Sequence, residues 1–350
     1  MYTFKIINRQ TYDAFQRDKE QTNLLQSYDW YKVKGWKALH YGFYRNDKLI
    51  ATAEIMMKSL LLGFKMGYIA RGPITDNLQL RDWYEIHQQL KQIGKENKIL
   101  FFKLDPYLDY NLDDIITLTM AGFKHKAVDD DMSATIQPVY NAYVEELKLS
   151  KKRRNEVNRL EKSEAFTVEH TKDKLDDFVS LIKKTEEKKG IKLRNKEYYE
   201  EILKLYPKSY LTILYIDVEK RKKELKAKNK NNQELKTLET LETMTGKVPV
   251  SGTLTVVYND TAELLYAGND FRFSHSNTAL YTWYKAIEHS STKWVNLGGI
   301  ENTLEGGLYD FKSKFQPTIK KFIGEFEVYT YPILSKSAVK AFDLYKKRPK

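Results

Sequence analysis

The chain has 350 residues, 41% hydrophobic and 13% aromatic, enough for two domains with proper cores and too apolar for a disordered polypeptide. Cysteine is absent, which excludes disulfides, thiolate nucleophiles and cysteine-ligated zinc together. The net charge of +12 points to polyanionic partners such as RNA, phosphates or an anionic membrane face, with a merely solubilising lysine surface as the plainer alternative.

Residues 2–8 alternate as an opening strand, and 11–20 carry a helical pattern. The segment 24–36, LLQSYDWYKVKGW, spaces its apolar and aromatic residues as one helix with Ser27 as N-cap. Strands over 38–45 and 49–58 meet at Asn46-Asp47, a hairpin signal. A strand over 65–70 ends at Arg71-Gly72-Pro73, an amphipathic helix covers 78–97, and a buried strand over 98–104 closes on Asp105-Pro106. A helix over 112–121 and a strand over 133–136 finish this half. Strands and helices alternating within one mixed sheet predict an α/β or α+β class.

After Gln137-Pro138 the composition shifts, and Lys and Arg crowd into 148–230. Residues 147–163, LKLSKKRRNEVNRLEKS, form a strongly basic helix; a strand over 166–170 and helices over 175–189 and 196–205 follow. A strand over 210–217 is expected to pair with 248–258. Between them, 218–247 is poor in aromatics and rich in Lys, Glu and Leu. It predicts a short antiparallel helical hairpin turning at 229–232, with an exposed low-complexity loop as the competing reading. A strand over 262–267, a helix over 277–289, a strand over 294–297, a short helix from Gly307, a strand over 323–331 and a helix over 336–346 complete the chain. TAEIMMK…MGYIARG in the first half echoes GTLTVVY…ELLYAG in the second, the mark of a duplicated domain.

No phosphate-binding G-x-x-x-x-G-K-[ST] loop, G-x-G-x-x-G fingerprint or G-x-S-x-G elbow is present, and the six histidines lack metal-ligand spacing. No basic-then-apolar leader opens the chain and no run approaches the roughly 18 apolar residues of a membrane helix, so a soluble cytoplasmic protein is expected. What remains is a set of cations and aromatics near strand and helix ends: Lys34 among Trp30 and Trp36, Arg71, Arg194 with Tyr198, Tyr266, and Lys312 after Phe311. Arginine and lysine with tyrosines can hold a diphosphate and a uracil ring by bidentate bonds and stacking. Asp105 is either the carboxylate that receives a proton from an amine or a turn aspartate. In VNLGGIENTLEGGLYDFKSKF, Lys312 either holds an anionic group or faces a carbonyl gaining negative charge, unless this is a plain strand–turn–helix with a solvated lysine. The glycines ahead of it are expected to make room for substrate.

Together these residues resemble the FemA/FemB/FemX-like family of peptidoglycan interpeptide-bridge aminoacyltransferases, and the similarity spans the whole chain. Its anchors are Gln26-Ser27 with Trp30 and Lys32-Val33-Lys34, YIARGP at 68–73, Leu104-Asp105-Pro106, Gly190-Ile191 to Arg194 with Tyr198, Tyr266-Ala267-Gly268, LGGI at 297–300 and LYDFKSKF at 308–315. The resemblance implies two tandem GNAT-like acyltransferase domains, one over 1–140 plus 323–350 and one over 141–322, the second carrying the short insertion 218–247. It implies transfer of glycine, serine or alanine from aminoacyl-tRNA to a stem-peptide side-chain amine, on lipid II or UDP-MurNAc-pentapeptide, with no cofactor and no metal. Carried over by position, Lys34, Arg194, Tyr198 and Tyr266 match residues holding the nucleotide-sugar or diphosphate end of the acceptor, with Arg71 grouped beside them as a binding residue. Lys312 after Phe311 matches the lysine implicated in transfer, and Asp105 an aspartate near the acceptor amine. The insertion is shorter than the helical arm of many members, so Lys151, Lys152, Arg153 and Arg154 on the basic helix become the expected tRNA contacts, and peripheral contact with the inner membrane face is a further expected partner. A small-molecule amine as acceptor, or a non-catalytic RNA-binding protein of the same fold, are the competing functions.

Overall fold

The computed structural model describes residues 1–17, 19, 22–126, 130–132, 134–227 and 231–346. Its first strands are β1 (Tyr2–Ile6), β2 (Lys37–Arg45), β3 (Lys48–Ser59), β4 (Lys65–Ile69), β5 (Ile74–Thr75), β6 (Ile99–Leu104) and β7 (Lys124–His125). They are followed by β8 (Tyr140–Val144), β9 (Phe166–Thr171), β10 (Ser209–Asp217), β11 (Lys247–Tyr258), β12 (Thr261–Asn269), β13 (Trp294–Gly299), β14 (Thr318–Lys321) and β15 (Phe326–Tyr329). The early helices are α1 (Arg9–Arg17), α2 (Trp30–Lys34), α3 (Leu80–Asn97), α4 (Leu112–Met120), α5 (Lys151–Glu161) and α6 (Leu175–Lys189). The later ones are α7 (Lys196–Leu205), α8 (Val218–Lys226), α9 (Asn232–Glu242), α10 (Thr278–His289), α11 (Gly307–Lys312) and α12 (Pro332–Lys346). The chain divides into two compact units: 1–141 with 299–309 and the segment from Ile319 through α12, and 142–298 with 310–318.

The first unit is built on a sheet ordered β1-β2-β3-β4-β6-β15-β7, with β5 also paired to β3. Asn46 and Asp47, at φ 48° and 61°, form the tight turn that the Asn-Asp dipeptide announces. Among the described residues its one parallel ladder joins β4 to β6. α3 makes the crossover that a parallel pair requires, and lays Trp83, Ile86, Leu90 and Ile93 on a core containing Ile55, Phe102 and Phe326. Its start is fixed by a capping box between Gln79 and Asp82. β15 pairs with β6, Phe326 opposite Leu104. There the fully buried Lys103 ammonium lies 2.6 Å from Glu325, 3.0 Å from Glu327 and 3.1 Å from Asp343 of α12.

The second unit is built on a sheet ordered β14-β8-β13-β12-β11-β10-β9, in which β12 and β13 pair in parallel. α6 packs closely on β12, because Gly268 leaves room: a Cβ there would lie 2.6 Å from the Ile182 nitrogen. The insertion is the helical hairpin α8–α9, tied by Lys226 and Glu242 and seated through Leu225 and Leu241 on a core with Val157, Leu160, Leu214 and Phe273. Residues 229 and 230 of its expected turn, like Glu20 and Ser133 of two other expected elements, lie outside the described residues.

Three expectations are corrected. The single helix over 24–36 is a 3-10 turn, Leu24–Gln26, followed by the short α2. Asn23, rather than Ser27, caps the turn, and the Gln26 side chain is drawn away to donate to the Ala70 carbonyl and accept from the Glu54 nitrogen. The strand expected at 133–136 is instead a series of bends from 134 onward, because the Ile136 nitrogen donates to the buried Glu325 carboxylate rather than to a ladder partner. Pairing begins at Tyr140. The small edge strands β5, β7 and β14 have too few residues to show a period and are not legible in the sequence.

Candidate functional site

In the first unit Arg71 and Asp105 meet where β4 and β6 end side by side, whereas Lys34 precedes β2 at the end of the sheet where β4 begins. Arg71, at φ 50°, folds its chain back so that its backbone nitrogen donates to Asp105 Oδ1 at 3.1 Å. Its Nε lies 3.4 Å from Asp105 Oδ2, and its Nη2 donates to the Pro138 carbonyl at 2.7 Å. The guanidinium is capped by the Phe322 ring at 4.7 Å and the Tyr107 ring at 6.0 Å. Both Arg71 and Asp105 are 3% exposed. Arg71 therefore has an internal set of partners in place of the open face that a direct substrate contact needs, and its visible role is to hold Asp105. Burial pushes the Asp105 carboxyl from its usual 3.8 up to about 7, while the Arg71 charge and backbone N–H pull it back down. The buried Tyr68 hydroxyl accepts from Gln137 Nε2 at 2.9 Å, and burial, with the Asp105 charge behind it, raises its pKa. Lys34, at the end of α2, has its ammonium 5.5 Å from the Trp30 ring, before the chain enters β2 through Gly35.

In the second unit β12 and β13 are paired only from Thr261–Trp294 to Glu263–Asn296, after which β12 runs on to Asn269 away from its neighbour. A bulge at Leu265 shifts the register against β11 just before Tyr266. The Tyr266 hydroxyl donates to that of Tyr198 at 3.3 Å, and the Arg194 guanidinium stands 5.1 Å over the Tyr198 ring. Tyr199 packs edge-on to Tyr266 at 5.1 Å and its hydroxyl accepts from the Arg194 nitrogen at 3.3 Å. Burial, then Tyr266, raises the Tyr198 pKa, so Tyr198 serves as a hydrogen-bonding phenol rather than a phenolate. The three expected binding residues of this unit are thus one cluster. Sequence reasoning missed Tyr199, whose only signal is its place in the Tyr198-Tyr199 pair.

Beyond the end of the same ladder the Lys312 side chain, 6% exposed, comes against Gly298, where a Cβ would lie 3.4 Å from Nζ. Gly298 has φ 85°, and its nitrogen donates to Asn296 Oδ1 at 2.8 Å while Asn296 Nδ2 donates to Glu263 at 2.7 Å. Asn296 and Glu263 are two further buried polar residues that sequence reasoning missed; the only pointer was the NLGG string. Lys312 is accordingly not the solvated lysine of a plain turn. Phe311 sets its ring on Trp283 at 5.1 Å and Phe315 at 5.8 Å, which fixes α11 on α10. The expectation that the glycines make room for substrate is corrected at two positions: Pro138 fills the space at Gly299, and Glu301 fills that at Gly306. Glu301 also accepts from the Leu308 and Tyr309 nitrogens at 2.9 and 2.8 Å, which starts α11.

Of the basic helix residues, Lys151, Lys152 and Arg154 are exposed, while Arg153 is engaged by Glu156 at 2.8 Å. The buried Val157 and Leu160 dock the helix, and Ser150 caps it. A cleft of about 320 Å³ opens beside its far end, lined by Arg159, Lys162, Arg221 and His275 together with Glu224 and Phe166. Among the described residues no group of three or more His, Asp or Glu is placed to hold a metal ion, and no helix is long and apolar enough to cross a membrane.

The FemAB family model matches residues 7–245 and 229–341. A Staphylococcus aureus (strain USA300) protein named lipid II:glycine glycyltransferase is 28% identical, over 92% of this chain and 91% of its own length. The protein of the same name from Staphylococcus saprophyticus is 26% identical over the same shares. Among solved structures, FemX superposes with a TM-score of 0.79 at 21% identity, over 97% of this chain and all of that one. A tandem GNAT protein from the clavulanic acid biosynthesis pathway gives 0.53 at 8% identity, over 95% and 99%. The expected pair of GNAT-like domains is the fold these likenesses share. With a buried lysine after Phe311, an arginine–tyrosine cluster and a match along almost its whole length, the chain belongs to the FemAB family.

Proposed function

We propose that this protein is an aminoacyltransferase that moves an amino acid from aminoacyl-tRNA to the side-chain amine of a peptidoglycan stem peptide, on the cytoplasmic side where charged tRNA is found. The carrying observation is the match over 92% of the chain to relatives named lipid II:glycine glycyltransferase. Lipid II is accordingly the acceptor of first choice over its soluble UDP-linked precursor, and glycine the donor of first choice over serine and alanine.

The chemistry asks for little beyond placement. An aminoacyl ester is already activated; the amine nitrogen attacks its carbonyl carbon, the C–N bond forms, the ester C–O bond breaks, and the ribose hydroxyl leaves with a proton. Proximity and charge stabilisation therefore carry most of the catalysis. Lys312, held against Gly298 and shielded from water, supplies positive charge for the tetrahedral oxyanion or for a neighbouring phosphate. Asp105 is the proton acceptor for the attacking ammonium, and a carboxyl at about 7 suits that task better than one near 4. Arg194 with Tyr198 and Tyr266 forms a donor set for the diphosphate or sugar of the acceptor, with Lys34 as a further cation. Lys151, Lys152 and Arg154 are exposed cations for tRNA phosphates. The donor is consumed as substrate, and no cofactor enters these steps.

The test is transfer of labelled glycine, serine or alanine from charged tRNA to lipid II or to UDP-MurNAc-pentapeptide. Transfer to neither acceptor would refute the reading. Lys312→Ala is expected to lower the rate by about two to three orders of magnitude, the usual cost of losing an oxyanion-stabilising group; an unchanged rate would remove the role given to that lysine alone.

A further inference from the structure

The turn joining β3 to β4 has an arrangement that the chemistry above does not use. Ser59-Leu60-Leu61-Leu62-Gly63-Phe64 holds itself shut through the Leu60 nitrogen donating to the Phe64 carbonyl at 2.8 Å and the Phe64 nitrogen donating to the Leu61 carbonyl at 3.2 Å. At its tip Leu61 is 86% exposed and Leu62 93% exposed, the latter the highest exposure of any large apolar residue described. Leu62 stands at φ 56°, a left-handed conformation that costs a leucine free energy and that glycine or asparagine would adopt with less strain. Neither leucine contributes to a core, so the folded unit gains nothing from apolar residues there.

The surroundings name the partner. Lys65 pairs with Ser59 at the base of the turn, Lys98 gives its carbonyl to the Lys65 nitrogen, and Lys37 pairs with Met57. Lys58 lies over Trp36 at 5.9 Å. Two exposed leucines among four lysines complement an anionic bilayer, in which apolar side chains reach the acyl boundary and ammonium groups stay among the headgroups. β2 begins, β3 ends and β4 begins at this end of the sheet, and Lys34 lies three residues before β2. We infer that the 60–64 turn docks the first unit on an anionic membrane surface by inserting Leu61 and Leu62, at the sheet end carrying the lysine assigned to the acceptor diphosphate. The inference rests on the lipid-linked acceptor proposed above and names the surface from which that acceptor is taken.

Flotation of the full chain with vesicles free of any peptidoglycan precursor tests it. Binding is expected to vesicles rich in phosphatidylglycerol, to weaken with salt and to be several-fold lower on phosphatidylcholine alone. The L61S/L62S double variant, altered only at an exposed tip, is expected to keep its melting temperature, to keep its transfer rate to a soluble UDP-linked precursor, and to lose vesicle binding by about tenfold or more. In a second variant, Leu62→Trp, the indole emission is expected to shift to the blue on adding anionic vesicles. Equal flotation of wild type and double variant, or no vesicle-dependent shift from the tryptophan, overturns the proposal. So does conversion of a dimer to a monomer by L61S/L62S with flotation unchanged, which would assign the leucines to a second copy. If wild type transfers to no precursor while flotation still depends on the leucines, the functional reading fails and the docking surface stands.

Discussion

Asp105 joins the stability of the first unit to its proposed chemistry. The carboxyl is 3% exposed, and burial carries it from 3.8 up to about 7 against the opposing pull of Arg71. The interval from 3.8 to about 7 is about 3 pH units, worth about 4 kcal/mol at roughly 1.4 kcal/mol per unit. Because the folded pKa lies above the unfolded one, the folded chain keeps the proton over a window in which the unfolded chain has released it. The contribution is therefore full below about pH 4, declines as pH rises toward about 7, and is level beyond. Asp105→Asn removes the titration while keeping the shape. Where the wild-type carboxyl is ionised, above about pH 7, it also deprives the Arg71 guanidinium of its counter-ion, so the informative quantity is the slope with pH rather than stability at one pH. Urea unfolding of both chains should show wild type losing about 3 kcal/mol more than the variant between about pH 4.5 and pH 8. Parallel curves would refute the argument, since they would mean that water or another group already solvates the carboxylate. In transfer assays the same substitution should cost about 10²- to 10⁴-fold above neutral pH if Asp105 accepts the proton.

Other perturbations test separate pieces. Lys103→Met strands the buried Glu325 and Glu327 without their ammonium and should cost about 3–5 kcal/mol in urea unfolding, part of it recovered by adding Glu325→Gln. Gly298→Ala puts a Cβ at φ 85° and 3.4 Å from Lys312 Nζ; a loss of about 1–2 kcal/mol in stability should come with slower transfer, and an unaffected rate would show that the lysine has room to move. Replacing Lys151, Lys152 and Arg154 together by glutamine should weaken tRNA binding and reduce the slope of log K against log salt by about 2–3, read from filter binding over a salt series.

The long elements were legible because each carried a period or a stop signal. α6 and α7 are placed to the residue, the Asn46-Asp47 turn is read from its dipeptide, and the insertion reads as a hairpin from its aromatic-poor, Lys-, Glu- and Leu-rich composition, with Leu225 and Leu241 seating its two helices on the core. Failures came where a tertiary partner overruled the local pattern. Gln26 leaves a helical run to satisfy the backbone of β3 and the Ala70 carbonyl, and Ile136 leaves a strand-like run for Glu325, 189 positions away. In the site, Arg194, Tyr198 and Tyr266 were named together and form one cluster. That Arg71 faces inward was invisible, because nothing in YIARGP distinguishes a guanidinium turned toward Asp105 from one turned toward solvent. Tyr199 and Asn296 were missed for a related reason: in sequence they are ordinary strand and helix residues, and only the end of a ladder makes them polar neighbours of Tyr266 and Gly298.

The duplication explains why chemistry collects where it does in each unit. A parallel pair cannot be closed by a hairpin; a helix must carry the chain back, α3 between β4 and β6 and α10 between β12 and β13. At the carboxyl ends of such a pair the two chains leave for different helices and loops, and space opens between neighbouring strands. The first unit fills that space from within, with Asp105 and the Arg71 that holds it. The second has only three paired positions before its strands part; beyond them stand Tyr266 on one strand, bonded to Tyr198 under Arg194, and Lys312 against Gly298 of the other. One repeat thus presents a buried acid and the other a shielded cation with phenols, so the division of labour lies in what each copy places at one shared topological point.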